Sequence, residues 1–544
     1  MKKTSFLLLF MLITSVIFAK EVKPVKNVIV MIPDGTSVGV YSAARWYKIY
    51  NNMGDGLHID PYFTGTVSTF SSNAPIGDSA PTTSAYMTGV PSRTGHISTY
   101  PVHDPGNDVY PIDSTMAYQP LATILEASKI ENNKATGLVV TCEFPHATPA
   151  DCAAHHYNRG NYKALAPQMA YQNLDVMFGG GNSILTDDIK QHFKNKGANL
   201  IQNDRNAMLN YSDNNPVWAL FGDRALPYDI DRNPEETPSL AEMTQKAIDI
   251  LSKKENGFFL MVEGSQVDWA AHANDPVAMI TEYLAFDEAV GKVMDFAKND
   301  GETAVIILSD HGNSGFTIGK NECKGYDKLT IHELFGAVSK CKLTAAGIES
   351  ILIDTKPENM KEVFKKQTDI DITDEEVKIL TSSKNYKVGD YTEVINSISL
   401  RNNIVNILNS RMCFGFTTGG HTGEEVLLAA YHPEGTLPMG HLKNTDINDY
   451  LFKVSGLKTP LPEMTQRLFS KHSDVFAGMN YSIEDKESDI PVLIVKHKKN
   501  TLRIPAFSSV GTLNGKQFDL GSITVYIDKN DTFYLPKDII NKLN

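Results

Sequence analysis

Basic charge is the scarcer sign in this chain. Its 51 Lys and Arg are outnumbered by 64 Asp and Glu over 544 residues, for a net charge of −13. That balance argues against nucleic acid or an anionic membrane as a passive partner. Long apolar runs are also wanting. The run from Phe6 to Phe18 is shorter than the roughly 20 residues a membrane span needs, so no stable span is expected. Cysteine is sparse, and the five present are an odd count. At least one thiol must therefore stay unpaired within a monomer. Cys323–Cys341 and Cys142–Cys152 are two candidate pairs, and spacing alone does not choose between them. Internal repeats and long low-complexity runs are missing, so nothing points to a repeat array.

What the N-terminus does have is the pattern of a secretory signal. Lys2-Lys3 precede the apolar run, and Ala19 can sit before the cut. Residues 1–19 are read as this signal, with a retained anchor as the alternative. The protein is expected to be exported, to the periplasm or beyond. No cysteine lies near the cut, which removes a lipoprotein anchor. A hydrophobic content of 42% suits one large globular α/β core with additions.

The chemistry sits at strand ends. Gly257 to Val262 reads as a buried parallel strand and ends in Glu263. Asp268 follows five residues later and His272 four after that, so the last two share one helical face. The pattern recurs. Val28 to Pro33 runs into Asp34-Gly35, and Ala304 to Ser309 runs into Asp310-His311-Gly312. Gly419-Gly420-His421 precedes the apolar run Val426 to Tyr431. Any one of these acids could be a turn or cap residue. Four such ends sharing Asp, His and Gly point to metal ligation instead, because unpaired buried charge is costly.

Ser79 opens a short helix in Gly77-Asp78-Ser79-Ala80-Pro81. A hydroxyl there faces free N–H groups and a positive dipole end, which suits a phosphate. No Ser-His-Asp signature surrounds it, so activation would fall to a metal ion.

These residues closely resemble the alkaline phosphatases that carry two zinc ions and one magnesium, over about residues 26–320 and 411–460. The resemblance implies hydrolysis of small-molecule phosphate monoesters through a phosphoserine on Ser79. It implies one zinc on Asp268, His272 and His421, and a second on Asp34, Asp310 and His311. Magnesium would sit with Asp34, Thr148 and Glu263. Arg159, eleven residues after Thr148, matches the guanidinium that grips phosphate, and Asp78 the carboxylate that orients it. Asp175 to Gly181 matches a further stretch with a structural role. His146 and Trp269 depart from the best-known bacterial pattern, which has Asp and Lys there. His146 stands near the magnesium position or acts as a third zinc-type ligand. Trp269 packs beside the site by default. A homodimer is an open expectation.

The expected architecture is α/β, a large, mostly parallel central sheet with helices on both faces. The catalytic domain is placed at 26–460. Residues 321–410 read as an inserted helical subdomain near the site mouth, with helical patterns at Glu358 to Lys366 and Tyr391 to Leu408. It is either a lid or a passive elaboration. Residues 483–544 read as a small β module rather than an extra edge of the main sheet. Strands are expected at Val492 to Lys496, Thr501 to Ile504, Ser522 to Ile527 and Thr532 to Leu535. A sulfatase would need an Arg where Thr83 stands, and a phosphodiesterase relative typically uses Thr and lacks the gripping arginine.

Overall fold

The computed structural model describes residues 21–325, 327–387 and 398–543. The expected signal segment lies outside the described residues. No helix among those described is long and apolar enough to cross a membrane.

Ten strands form the central sheet: β1 (Asn27–Pro33), β2 (Phe63–Ser68), β3 (Ala135–Glu143), β4 (Val176–Gly180), β5 (Asn199–Gln202), β6 (Val217–Leu220), β7 (Phe258–Gly264), β8 (Thr303–Leu308), β9 (Val426–Tyr431) and β10 (Gly440–Lys443). Their order is β10-β2-β9-β8-β1-β7-β3-β4-β6-β5. Every pair is parallel except those of β9, which runs antiparallel to β2 and β8.

The central strands read as unbroken apolar runs because both faces are covered. Ile29 and Met31 join one buried cluster, with Leu260 and Val262. Val28, Val30 and Ile32 join the other, with Phe259 and Met261. This alternation is the period of two that a strand imposes. Helices Leu240–Leu251 and Pro276–Asp300 pack on the first face. Helices Ile124–Asn132 and Asn444–Val454 pack on the second.

The 321–410 segment is helical: Ile331–Phe335, Ala345–Leu352, Met360–Thr368, Asp374–Thr381 and Leu400–Ser410. Caps at Thr330, Thr344, Thr373 and Ser399 set four of the starts. The expected helix from Tyr391 falls partly outside the described residues, and the observed one begins at Leu400. Phe335, Ile348, Phe364 and Leu408 belong to the same buried cluster as the first sheet face. The segment thus extends the core.

A disulfide joins Cys323 to Cys413, 90 residues apart, and corrects both candidate pairs. Cys142, Cys152 and Cys341 are buried thiols. Each is turned to a different neighbour: Cys142 Sγ to Glu263 Oε2 (3.5 Å), Cys152 Sγ to the Thr148 carbonyl (3.7 Å) and Cys341 Sγ to the Ala337 carbonyl (3.6 Å).

Besides two two-stranded ladders near the carboxyl edge, two larger antiparallel sheets form toward the C-terminus. One is a five-stranded meander: Asn480–Glu484, Val492–His497, Asn500–Pro505, Val510–Leu513 and Lys516–Asp519. The other combines Ser470–Lys471, Thr532–Leu535 and Val525–Ile527. Asn514 (φ 50°) and Gly515 (φ 81°) form the turn that pairs Leu513 with Lys516. Leu493, Val495, Leu502, Ile504, Phe533 and Leu535 share a cluster of their own. Ser522 to Thr524 were expected in a strand. They precede it instead, because the Thr524 hydroxyl donates to the carbonyls of Pro505 (2.6 Å) and Ser508 (3.1 Å).

Candidate active site

The carboxyl ends of β1, β7 and β8 lie side by side, with Ile32 level with Glu263. This edge is where open α/β sheets keep their sites. Asp34 follows β1, Glu263 is the penultimate residue of β7, and Asp310-His311 follow β8. Helix Gln266–His272 then carries Asp268 and His272. His421 arrives from far along the chain. It pairs with Asn313 in a two-residue ladder, and β9 runs antiparallel, so the residues preceding it sit at the carboxyl edge of β8.

The acceptors in this cluster face one another. His272 Nδ1 lies 2.9 Å from the Gly419 carbonyl, His421 Nδ1 2.9 Å from that of Gly77, and His311 Nδ1 3.1 Å from that of Gly312. Carbonyls only accept, so each Nδ1 carries the proton and each Nε2 presents a lone pair. Two of those lone pairs meet, with His272 Nε2 and His421 Nε2 3.1 Å apart. Asp268 Oδ2 is 3.4 Å from the first and Asp268 Oδ1 3.7 Å from the second. In the second set, His311 Nε2 lies 3.5 Å from Asp34 Oδ1 and 3.4 Å from Asp310 Oδ2. Both of those oxygens are buried without a hydrogen-bond partner among the described residues. Acceptors crowded against acceptors are repulsive unless a cation lies between them. The donor sets, imidazole plus carboxylate, suit zinc.

A third group is richer in oxygen. The Thr148 hydroxyl donates to Asp34 Oδ2 at 3.5 Å. Glu263 Oε1 is buried without a partner among the described residues. Ligand atoms of Cys142, His146 and Glu263 lie within 4.8 Å of one another.

Electrostatics follow from burial. Burial, then the charges of Asp310, Asp268 and Glu263, holds the Asp34 carboxyl well above its usual range. Burial pushes Glu263 up to about 7. Burial also acts upward on Asp268, but His311, His272 and His421 in their protonated form, together with the Asn313 amide, outweigh it and hold that carboxyl low. Burial, then the Arg159 guanidinium, pushes His146 down to about 4, so it is neutral at pH 7.

Ser79 opens the helix Ser79–Thr88, with Asp78 at its N-cap. Its hydroxyl lies 3.2 Å from His311 Nε2. Tyr86 anchors the same helix by donating to the Ser309 carbonyl (2.9 Å). Arg159 ion-pairs with Asp78 and places Nη2 3.2 Å from His146 Nε2. Trp269 meets the His146 ring edge to face at 5.7 Å and packs against the second apolar cluster. The candidate catalytic and metal-ligating residues singled out in the sequence thus lie in this one neighbourhood.

Asn313 escaped the sequence reading, which noted Gly35 only as the residue after Asp34. Asn313 Nδ2 donates to Asp268 Oδ1 (2.6 Å) and orients that carboxylate. Gly35 has φ +60°, and a Cβ there would meet Asp268 Oδ1 at 2.3 Å. Only glycine lets the β1 end approach the Asp268 side chain so closely.

A sequence model of the family described as Alkaline phosphatase matches residues 25–457. The chain belongs to the alkaline phosphatase family. Alkaline phosphatase 3 of Bacillus subtilis (strain 168) is 33% identical over 448 residues, covering 79% of this chain and 89% of the relative. The cold-active alkaline phosphatase from the psychrophile Shewanella sp. matches in structure with a TM-score of 0.68 and 28% identity, over 80% of this chain and 100% of that one. A mutant alkaline phosphatase from the Antarctic bacterium TAB5, with a histidine changed to aspartate and Mg bound in the M3 site, matches with a TM-score of 0.55 and 25% identity, over 81% of this chain and 100% of that one. Membership makes this protein a phosphatase enzyme, and the family and fold support hydrolysis of phosphate monoesters.

Proposed function

We propose that Ser79 is the nucleophile and that hydrolysis passes through a phosphoserine at its Oγ. One observation carries this reading: the Ser79 hydroxyl sits at a helix N-terminus, 3.2 Å from the inward Nε2 of His311, in the midst of converging acceptors. Asp268, His272 and His421 would hold one zinc, Asp34, Asp310 and His311 a second, and Asp34, Thr148 and Glu263 a magnesium. The orphaned oxygens of Asp34, Asp310 and Glu263 support that assignment, as does the Mg named for the TAB5 mutant. When bound, these ions would favour the serine alkoxide, the leaving oxygen and an ionised water.

The chain's own residues do the rest. Ser79 Oγ forms the bond to phosphorus as the ester oxygen departs with the alcohol. Water then breaks the Oγ–P bond and returns the serine with inorganic phosphate. The free N–H groups at the start of the helix Ser79–Thr88 face the transferring group. Arg159 presents a planar fork to two phosphoryl oxygens. Asp78 aims that fork, and the Gly95 N–H in turn donates to Asp78 Oδ2 at 3.2 Å.

Export is part of the same proposal. The Cys323–Cys413 bridge suits an oxidising compartment, in keeping with the N-terminal signal pattern. Rapid quench with labelled monoester at mildly acid pH tests the nucleophile. Label should be trapped on the wild-type protein and not on Ser79→Ala. Label retained by Ser79→Ala would overturn the assignment. A chromogenic monoester should also be hydrolysed far faster than a diester.

A further inference from the structure

Resting on that reading of Arg159, we infer that the C-terminal β module holds the phosphate-gripping arginine in place through an aromatic platform. The loop bearing Arg159 is wired to its neighbour by backbone bonds. Ile97 and His156 exchange two, of 2.7 and 3.0 Å, and Arg159 N–H donates to the Gly95 carbonyl at 2.8 Å. The same Gly95 donates its N–H to Asp78. Arg159 and its orienting carboxylate therefore share one scaffold, residues 95–97 with 156–159.

The outer side of that scaffold is aromatic. His156 stacks on Tyr157 at 4.4 Å, Tyr118 meets Tyr157 edge to face at 5.7 Å, and His96 stacks on Tyr118 at 5.9 Å. The group is closed from outside by the module. Lys529 Nζ lies over the Tyr157 ring, 5.6 Å from its centre. The Asp528 carboxylate lies against the Tyr157 hydroxyl and, after burial, helps raise its pKa. Both residues belong to the short turn Asp528–Asn530, which links the module strands Val525–Ile527 and Thr532–Leu535. A cavity of about 480 Å³ borders the same turn. His156, Tyr157, Asn161, Asp528 and Asp531 are among its lining residues. The Lys529 and Asp528 contacts restrain the loop on this side, next to the Lys163–Asp489 ion pair (2.9 Å) on the same cavity. The module then has a task in the reaction at a distance: a rigid Arg159 binds phosphate better than a mobile one, because less rotamer freedom is lost on binding.

Steady-state kinetics and direct phosphate binding test this on the full-length protein. Both module residues are exposed, so Lys529→Ala and Asp528→Asn should fold. Each should raise KM and the inhibition constant for phosphate by about two- to five-fold, the range expected of an exposed cation–π contact, with kcat changed less. Lys529→Arg, which keeps a cation over the ring, should restore both constants. Lys196→Ala removes the 3.1 Å ion pair to Asp519, another contact between module and core, and should leave both unchanged. In an Arg159→Ala background the Lys529→Ala effect should vanish, since the scaffold then has no arginine to hold. Unchanged phosphate binding in Lys529→Ala and Asp528→Asn would overturn the inference. So would a full effect in the Arg159→Ala background, or an equal effect from Lys196→Ala. If Arg159→Ala alone leaves phosphate binding untouched, the reading of Arg159 itself fails.

Discussion

Stripping the metals should make this protein less stable as pH rises, and Glu263 sets the size of the effect. The group is fully buried and its carboxyl is pushed up from 4.5 to about 7. A shift of that size corresponds to about 3 kcal/mol, at 1.36 kcal/mol per unit. The sign follows from proton counts. Between pH 4.5 and about 7 the metal-free folded state keeps a proton that the unfolded chain has released. Stability is therefore complete below this window and falls through it. Asp34, held up by burial and by neighbouring carboxylates, acts in the same direction. A bound cation takes the ionised carboxylates, so the metal-loaded protein escapes this loss and releases protons as it loads. The assay is urea unfolding of chelator-treated protein at pH 5 and pH 8, beside Glu263→Gln. Stripped wild type should lose about 2.5 kcal/mol more across that range than the variant, the first part of the effect falling below pH 5. Calorimetry of metal binding at pH 6 in buffers of different ionisation enthalpy should find about one more proton released by wild type. Coincident pH profiles for the two stripped proteins, or a wild type that gains stability toward pH 8, would refute the reasoning.

The remaining expectations concern the arginine, the bridge and the tryptophan. Arg159→Ala should raise KM and weaken phosphate inhibition by about 10- to 100-fold, the worth of charged hydrogen bonds of 1.5–3 kcal/mol, with a smaller loss in kcat. Untouched phosphate inhibition in steady-state kinetics would remove Arg159 from the site. The paired change Cys323→Ala with Cys413→Ala opens a loop of 90 residues and should cost up to about 4 kcal/mol in denaturant unfolding. Activity at 25 °C should persist, because neither residue reaches the site. Trp269→Lys should place a cation beside His146, tighten phosphate inhibition and slow turnover where release limits it. Weaker or equal inhibition in a well-folded variant would leave Trp269 as packing.

The cluster of acids and imidazoles was legible because of one local rule. A strand buried on both faces is an unbroken apolar run, so an acid at its end stands out, and β1, β7 and β8 each announce one: Asp34, Glu263 and Asp310. Parallel pairing then brings those ends together whatever the loops do. His421 needed more than the rule. Its approach depends on β9 running against β8, and the Gly-Gly-His pattern shows no strand direction, so the sequence marked His421 as a candidate ligand and only the resemblance grouped it with Asp268 and His272.

The failures share the opposite cause. Cys323 and Cys413 are joined because the helical segment between them folds back onto the first sheet face, through Phe335, Ile348 and Leu408. That return is a tertiary event with no local mark, whereas Cys142 and Cys152 looked paired only through nearness in sequence. Strands Val510–Leu513 and Lys516–Asp519 were missed in the same way. Thr512, Asn514, Gly515 and Lys516 give little apolar alternation, and the hairpin is held by the Asn514-Gly515 turn and by its neighbour strand Asn500–Pro505. The arginine platform belongs to this class too. Tyr157 and Lys529 are 372 positions apart, and neither looks unusual where it stands. The acids Asp34, Glu263 and Asp310 stand out because they follow buried apolar strands. The contacts proposed to steady Arg159 join residues far apart in sequence, and such contacts leave their record only in the folded chain.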